Sequence, residues 1–262
     1  MAKPKITIIT ATHYRPDLLA RCIVAVQQSL FDDYEHLVVA DHCPKAREVY
    51  EIFKDDNRIK FYETADPHLP NHGARAQNLG IEKAQSDIIC YCNDDNIVMP
   101  NHLHLMRDSL STGKHDVVYT KTHEIRMGRG DHTIKKILQR DFYKDLDPET
   151  NVKDDLLYSD PRDMSNMGHT KEILKTAGNW RLKGDCPTGI EDTDFMDRVD
   201  AAAEKRIIKK PIYSSVYYVR NAVFCRDDAY YNAVKSLGDG ETFVYPDLLL
   251  DSGVISKKML EK

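Results

Sequence analysis

Residues 88–96 read IICYCNDDN, an apolar run that ends in acidic and amide side chains. The run up to Cys92 is short and apolar, which is typical of a buried strand. Asp94 and Asp95 follow at once, and open α/β sheets place their ligands at the C-terminal ends of parallel strands. Hard carboxylate oxygens there suit Mg²⁺ or Mn²⁺, held together with substrate phosphates. The alternative is an acidic turn before a helix, because Asp and Asn also favour turns and helix N-caps.

The first hundred residues alternate between strand and helix patterns. The predicted strands cover residues 6–10, 36–40, 58–62 and 88–92, and the predicted helices cover residues 16–30, 45–53 and 74–84. This alternation predicts a parallel sheet with right-handed crossovers. The chain after the first strand, Asp41 after the second and Asp94-Asp95 after the last would then lie on one rim of the sheet.

The second half of the chain has a less regular pattern. Its predicted helices cover residues 101–110, 169–177, 191–203 and 227–236, and its predicted strands cover residues 116–120 and 211–219. Gly178 is a plausible C-cap for the helix before it. Residues 121–160 are highly charged and predict a hairpin and a long loop, a length that is often functional in a compact domain. One domain with a short C-terminal extension fits this pattern best.

Composition excludes several classes of protein. The 262 residues carry a net charge of −5, which argues against a general nucleic-acid or anionic-membrane partner. We see no apolar run of the roughly 18–20 residues that span a bilayer, and the N-terminus lacks a signal-peptide core. Six cysteines without a CxxC pair, including Cys90 and Cys92 on one strand face, predict buried free thiols. We therefore expect a reducing, cytoplasmic compartment.

Five segments in a fixed order suggest a family. They are ITIITATHYRPDLLARCI at residues 6–23, the strand that ends at Asp41, GARAQNLG at 73–80, CNDDNIVMPNHL at 92–103 and GIEDTDF at 189–195. This series resembles the large inverting glycosyltransferase family often called family two, over roughly residues 5–220. It looks closest to the bacterial spore-coat polysaccharide synthesis type, whose metal motif also reads as two aspartates followed by Asn. The resemblance implies an α/β GT-A fold (the nucleotide-diphospho-sugar transferase fold), with a mostly parallel central sheet flanked by helices.

The resemblance also implies a nucleotide-sugar site in residues 1–100 and an acceptor half in residues 101–222, whereas residues 223–262 lie outside it and are predicted to form a helical C-terminal extension. The implied donor-binding residues are Ala11, Thr12, His13, Arg15, Asp41, His72, Arg75 and Asp94. Asp95 would ligate the metal, Mn²⁺ or Mg²⁺, that bridges both phosphates. Two positions depart from the family pattern, because His13 stands where Tyr is usual and Asn93 where Asp is usual. Asp41 as a turn residue and Arg75 on a solvated helix face remain alternatives.

The GIEDTDF segment would supply the catalytic base. Asp192 aligns with the family's catalytic carboxylate, and Glu191 is the reserve candidate. Inverting transfer needs one base to deprotonate the acceptor hydroxyl, and a positioned carboxylate typically contributes about 10²–10⁴ in rate. The alternative is that these acids only stabilise a helix N-terminus. Asp163 and Trp180 are candidates for acceptor or sugar contacts, although Trp180 could equally be a core residue.

These observations together predict a metal-dependent inverting glycosyltransferase. The expected donor is a UDP- or dTDP-sugar, and the expected acceptor is a glycan, a protein or a lipid-linked sugar. A sugar-phosphate nucleotidyltransferase is a weaker alternative, because such enzymes normally carry a glycine-rich loop after the first strand and residues 11–15 contain no glycine. A non-catalytic sugar- or protein-binding module on the same scaffold is the second alternative, since fold does not fix function.

Overall fold

The computed structural model describes residues 3–65, 73–127, 134–140, 162–187 and 189–219, which form a mixed sheet with helices on both faces. The strands are β1 Ile6–Thr12, β2 Tyr34–Ala40, β3 Ile59–Glu63, β4 Ile88–Tyr91, β5 Ile97–Val98, β6 Val117–Met127, β7 Ile134–Arg140, β8 Met167–Thr170 and β9 Ile207–Val219. The α-helices are α1 Pro16–Gln27, α2 Pro44–Phe53, α3 Ala74–Lys83, α4 His102–Leu110, α5 Leu174–Ala177 and α6 Glu191–Ala203. Short 3₁₀ turns cover Met164–Asn166, Lys171–Ile173 and Lys183–Asp185.

The sheet has the order β3-β2-β1-β4-β8-β6-β9-β5, and β7 pairs with β6 beside this path. The first four strands pair in parallel, as the strand–helix alternation predicts. β8 then runs antiparallel between β4 and β6, while β9 is parallel to β6 and antiparallel to β5. The predicted α/β sheet flanked by helices is confirmed, and its parallel pairs are those among β1 to β4 and that of β6 with β9.

Helices cover both faces of the sheet because its strands are buried on both sides. On one face, α3 and α6 pack against Ile9, Leu37 and Tyr91. On the other face, α1, α2 and α4 pack against neighbouring positions of the same strands. Pro16 opens α1 at its first position, where the missing N–H of proline costs nothing.

Gly80 lets α3 lie close to β1. A Cβ added at this glycine would stand 2.5 Å from Cγ2 of Ile9, which is fully buried. Because Ile9 is β-branched and enclosed, it has little room to move away. The glycine in the GARAQNLG segment therefore sets the distance between helix and sheet.

Several predicted elements differ from those observed. The predicted helix 169–177 is wrong in its first part, where β8 ends at Thr170 and a 3₁₀ turn precedes α5. The predicted hairpin is present as β6 and β7, but the predicted strand 116–120 is much longer, since β6 continues to Met127. The two-residue strand β5 was not predicted. Residues 220–262, with the predicted helix 227–236 and the predicted extension, lie outside the described residues.

The cysteines of the described ranges are all buried free thiols, as predicted for Cys90 and Cys92. None of the helices in those ranges combines the length and the apolar content that crossing a bilayer requires.

Candidate active site

The C-terminal ends of β1, β2 and β4 meet at one rim of the sheet, as predicted. The backbone N–H of Asp41 donates to the carbonyl oxygen of Thr12 at 2.8 Å, which joins the first two strand ends. The hydroxyl of Thr12 donates to Asp94 Oδ2, also at 2.8 Å, although 82 residues separate the two. Three segments that are distant in sequence therefore present polar side chains together.

Arg15 binds both adjacent carboxylates at the end of β4. Its Nη1 lies 3.0 Å from Asp94 Oδ1 and 2.8 Å from Asp95 Oδ2. The Asp94 side chain is only 6% exposed and that of Asp95 is 24% exposed. Burial raises the pKa of Asp94 to about 6, an effect that the charge of Arg15 partly offsets and the charge of Asp95 increases.

A cluster of buried polar groups before β8 hydrogen-bonds the acidic turn that follows β4. The hydroxyl oxygen of Ser165 accepts from the backbone N–H of Asn93 at 3.0 Å and from Asn96 Nδ2 at 2.9 Å. Asp163 Oδ1 accepts from the same Nδ2 at 2.9 Å and from the backbone N–H of Ser165 at 2.8 Å. Asp163, an expected sugar contact, thus caps the 3₁₀ turn before β8 and helps to fix the position of Asp94.

The sequence did not reveal the roles of Ser165 and Asn96, because their partners lie 67–72 residues away in the chain. A local signal did exist at Asp163, since Asp at the start of a short helical turn is a common N-cap. The capping box that Asp163 forms with Asn166 matches this signal.

The loops after β1 and β2 bring His13 and Asp41 together. His13 Nδ1 donates to the carbonyl oxygen of Asp41 at 2.7 Å, and Asp41 Oδ1 accepts from the Thr64 hydroxyl at 3.1 Å. Tyr14 is 45% exposed, and its ring centroid lies 4.6 Å from that of His13 in an edge-on arrangement. Ala11, another expected donor-site residue, packs its side chain against the core beside these loops.

Both loops contain a non-glycine residue with left-handed backbone. Tyr14 has φ 51° and His42 has φ 49°. Such conformations cost free energy for residues with a side chain and concentrate at ligand sites, where surrounding contacts hold them. The backbone N–H of Tyr14 donates to Cys43 Sγ at 3.2 Å, so the two loops also hold each other in place.

The acidic first turn of α6 lies next to the end of β4, because the rings of Tyr91 and Phe195 are in contact with centroids 6.1 Å apart. The acidic residues in the first turn of α6 differ in their surroundings. Asp194 is buried and pairs with Arg181 Nη1 at 3.1 Å and Arg198 Nε at 2.8 Å. This double ion pair gives Asp194 a structural role.

The two candidate bases also have different surroundings. Asp192 is exposed, and its Oδ1 accepts from the backbone N–H of Thr193 at 2.8 Å. Glu191 is 3% exposed, and its Oε1 has no hydrogen-bond partner among the described residues. An unpaired buried carboxylate oxygen is uncommon and requires an explanation.

Trp180 belongs to the core. Its side chain is 6% exposed and stacks on Phe195, with ring centroids 4.6 Å apart and planes at 11°. The structure supports the core interpretation over a sugar-stacking surface, because the neighbouring aromatic ring already covers one face of the indole. The side chain of Asn78 in α3 fixes the backbone of Trp180. It donates to the Trp180 carbonyl oxygen at 2.9 Å and accepts from the Trp180 backbone N–H at 3.0 Å.

Arg75 lies in the first turn of α3 and lines an open groove of about 1260 Å³ between α3 and α5. Other residues that line this groove are Thr64, Asn78, Leu79, Lys171 and Leu182. Asp94 and Asp95 are not among the lining residues, whereas Thr64, which donates to Asp41 at the rim, is one of them. His72, which precedes α3, lies outside the described residues.

The carboxylates at the rim suit a divalent cation that also binds the substrate. In the described part of the chain, no group of three or more His, Cys, Asp or Glu side chains converges on a possible ion position. Asp94 and Asp95 alone give a donor set of hard oxygens, which matches the way Mg²⁺ binds through one or two carboxylates together with substrate phosphates. His169 is buried and accepts at Nε2 from the Tyr91 hydroxyl at 2.8 Å, as expected for a structural histidine and not for a metal ligand.

Comparison with known proteins identifies the family. Residues 7–160 match the model of Glycosyl transferase family 2, and this chain belongs to that family. A curated relative is the GalNAc(5)-diNAcBac-PP-undecaprenol beta-1,3-glucosyltransferase of Campylobacter jejuni subsp. jejuni, 26% identical over 112 residues. That match covers 42% of this chain and 36% of the relative, so the chain aligns with about a third of that protein.

Solved structures support the same fold. S. aureus TarS 1-349 in complex with UDP-GlcNAc has a TM-score of 0.63 at 14% identity, covering 94% of this chain and 70% of that chain. The mannosyltransferase PcManGT from Pyrobaculum calidifontis, in complex with GDP-Man and Mn²⁺, has a TM-score of 0.54 at 10% identity. That alignment covers 99% of this chain and 83% of the other.

Proposed function

We propose that this chain is a metal-dependent inverting glycosyltransferase that moves a sugar from a UDP- or dTDP-sugar to a hydroxyl acceptor. The observation that carries the proposal is the convergence of Arg15, Asp41, Asp94 and Asp95 on one rim, in a chain of Glycosyl transferase family 2. The similar structures of TarS with UDP-GlcNAc and of PcManGT with GDP-Man support a nucleotide-sugar donor.

The loops after β1 and β2 suit a pyrimidine base. The rings of His13 and Tyr14 offer an aromatic surface, and Asp41 offers a carboxylate that can accept from the N3–H of uracil or thymine. An ionised acceptor makes a stronger hydrogen bond than a neutral one. The contact between Thr64 and Asp41 Oδ1 supports this role, because it orients the carboxylate before the base arrives.

Asp94 and Asp95 would hold the cation, with Asp94 also able to accept from the ribose. The cation, when bound, neutralises the negative charge that develops on the leaving nucleoside diphosphate. The hydrogen bond from Thr12 fixes the Asp94 carboxylate, and the Ser165 cluster fixes the backbone that carries it. This preorganisation reduces the reorganisation that binding the diphosphate requires.

Asp192 is the proposed base. It would take the proton from the acceptor hydroxyl, whose oxygen attacks the anomeric carbon as the bond to the diphosphate breaks on the opposite face. Its exposure supports this role, because an acceptor must reach the carboxylate. Glu191 is buried, and its unpaired Oε1 keeps it as the reserve candidate.

The acceptor would be a glycan, a protein or a lipid-linked sugar. Within the family, the motif of two aspartates followed by Asn96 supports a likeness to the spore-coat polysaccharide synthesis type. The free thiols in the described part of the chain support a reducing, cytoplasmic compartment.

Thermal stability against a panel of nucleotides and nucleotide sugars, with and without Mn²⁺, tests the proposal. A ligand at about 100 times its Kd adds about 2.7 kcal/mol to the free energy of unfolding, which raises the Tm measurably. We expect a shift with UDP or dTDP compounds only when Mn²⁺ is present.

The variant Asp95→Ala should lose this metal-dependent shift. Asp108→Ala is the matched control, because Asp108 is paired on the exposed face of α4 and should leave the shift intact. No shift of the unmodified protein with any nucleotide would instead favour a non-catalytic binding module on the same scaffold.

A further inference from the structure

One guanidinium nitrogen contacts both carboxylates of the proposed metal site, and its single positive charge offsets part of theirs. Arg15 Nη1 contacts Asp94 Oδ1 at 3.0 Å and Asp95 Oδ2 at 2.8 Å, while 36% of the Arg15 side chain is exposed. Arg15 directly precedes α1, so its backbone is fixed at the helix start while its side chain extends to the rim.

The negative charges of Asp94 and Asp95 explain why an arginine occupies position 15. Two adjacent carboxylates that are partly withdrawn from water repel each other and need a counter-charge. Arginine keeps its positive charge at all accessible pH values, so it supplies that counter-charge permanently. Asp94 and Asp95 would also be the residues that hold a divalent cation. A cation and the Arg15 guanidinium would therefore compete for the same pair of carboxylates.

We propose that Arg15 is a displaceable counter-ion: its guanidinium leaves Asp94 and Asp95 when the cation binds together with the nucleotide, and then binds the diphosphate. This inference rests on the proposed function. A phosphate suits the displaced group because guanidinium donors bind phosphate oxygens in pairs. Because 36% of the Arg15 side chain is exposed, its guanidinium is accessible to a ligand at the rim.

Coupled binding follows from this exchange. Without nucleotide, the cation must displace Arg15 while no phosphate receives the guanidinium, so the cation alone binds weakly. With nucleotide, the guanidinium gains a new partner, and each ligand strengthens the binding of the other by the same factor. Arg15 would thus prevent the acidic rim from holding a cation when no donor is available.

The test is the affinity for Mn²⁺, measured by titration calorimetry with and without UDP, of the unmodified protein and of Arg15→Gln. We expect Arg15→Gln to bind Mn²⁺ alone at least about tenfold more tightly, within the usual range for coupling between two sites. The gain in Mn²⁺ affinity on adding UDP should shrink in the same variant, because the displaced guanidinium no longer contacts the diphosphate.

Arg21→Gln is the matched control. Arg21 Nη2 donates to the backbone carbonyl of Asp95 at 3.3 Å, so this change removes a nearby positive charge whose contact with Asp95 is to the backbone and not to the carboxylate. We expect its Mn²⁺ affinity to stay within about threefold of the unmodified protein. An equal gain in both variants would overturn the proposal in favour of general electrostatic repulsion.

Two further outcomes are distinguishable. Unchanged Mn²⁺ affinity in Arg15→Gln, with metal-dependent UDP binding intact in the unmodified protein, overturns the displacement and leaves the proposed function standing. Absence of metal-dependent UDP binding in the unmodified protein overturns the proposed function and this inference with it. Should Arg15→Gln not fold, Arg15→Lys keeps the charge, and its UDP affinity in Mn²⁺ should fall because an ammonium lacks paired donors. Unchanged UDP affinity there would also overturn the inference.

Discussion

Tyr91 and Phe195 are in edge-on contact, and this contact joins the two halves of the candidate site. Tyr91 is the last residue of β4, directly before the acidic turn, and Phe195 lies about one helical turn after the start of α6. The contact therefore packs the start of α6 against the last residue of β4, although about a hundred residues separate the two in the chain.

Asp192→Asn should lower turnover while it preserves donor binding. The amide has nearly the shape of the carboxylate but cannot accept the proton of the acceptor. We expect kcat to fall by about two to four orders of magnitude, the usual contribution of a positioned base. Steady-state kinetics for turnover and calorimetry for UDP binding measure the two effects separately.

Glu191→Gln is the companion variant for this experiment. Near-normal turnover in Asp192→Asn together with a large loss in Glu191→Gln would transfer the role of base to Glu191. Asp194→Asn would not be a clean control, because it also breaks the ion pairs with Arg181 and Arg198.

Ser165→Ala should destabilise the fold by removing the acceptor beneath the acidic turn. The change leaves the backbone N–H of Asn93 and one bond of Asn96 Nδ2 unsatisfied in a buried place. We expect a loss of about 1–3 kcal/mol in the free energy of unfolding, measured in urea. Ser109→Ala is the matched control, because this buried hydroxyl donates to the carbonyl of Leu105 in its own helix. Equal losses in the two variants would contradict a special role for Ser165.

Stability should fall as the pH drops from about 7 to about 5. Burial lowers the pKa of His36 and His102 to about 3 and that of His169 to about 4, all below the ordinary value of 6.5. Below pH 6.5 the unfolded state therefore binds more protons than the folded state, and protonation favours unfolding. Asp94 and Asp200 act in the opposite direction, since burial raises the pKa of both carboxyls.

The three histidines outweigh the two carboxyls in this range, and we expect a net loss of about 1–3 kcal/mol per pH unit. Urea unfolding at several pH values measures the slope. His36→Gln should reduce it by about the contribution of one proton. A flat profile in the unmodified protein would show that these histidines are not buried in the neutral form.

Gly80→Ala should destabilise the packing of α3 on β1. The added Cβ would stand 2.5 Å from Ile9 Cγ2, and overpacking of this kind typically costs about 1–3 kcal/mol. The better helix propensity of alanine offsets up to about 1 kcal/mol of that cost. Gly184→Ala is the control, since no heavy atom of the described residues lies within 4 Å of the added Cβ there. A stability equal to that of the control would show that α3 can shift without cost.

The first half of the fold was predictable because its signals are local. Apolar runs mark β1 to β4, and Pro16 marks the start of α1. Strand β8 was not predictable in this way, because the residues Met167–Thr170 lack a β-branched run and form a strand through pairing with β4 and β6. β5 has two residues, too few to show any periodicity.

The candidate site likewise combines residues that local sequence reveals with contacts that only the folded chain creates. The acids Asp94 and Asp95 stand out in the sequence because they follow a buried strand directly. The contact of Arg15 with both of them depends on the way the loop after β1 folds over β4, which no spacing in the sequence encodes. Burial likewise distinguishes Asp192 from Glu191, two neighbouring acids that the sequence alone leaves nearly equivalent.

The stacking of Trp180 on Phe195 gives the protein an optical probe of its own. The chain has a single tryptophan, so all indole fluorescence comes from one place, in contact with the helix that carries the base candidates. Emission from an indole in this dry aromatic stack should be blue-shifted in the native protein and should move to longer wavelength as water reaches it. Any ligand that shifts α6 relative to the sheet would then change the emission without an added label.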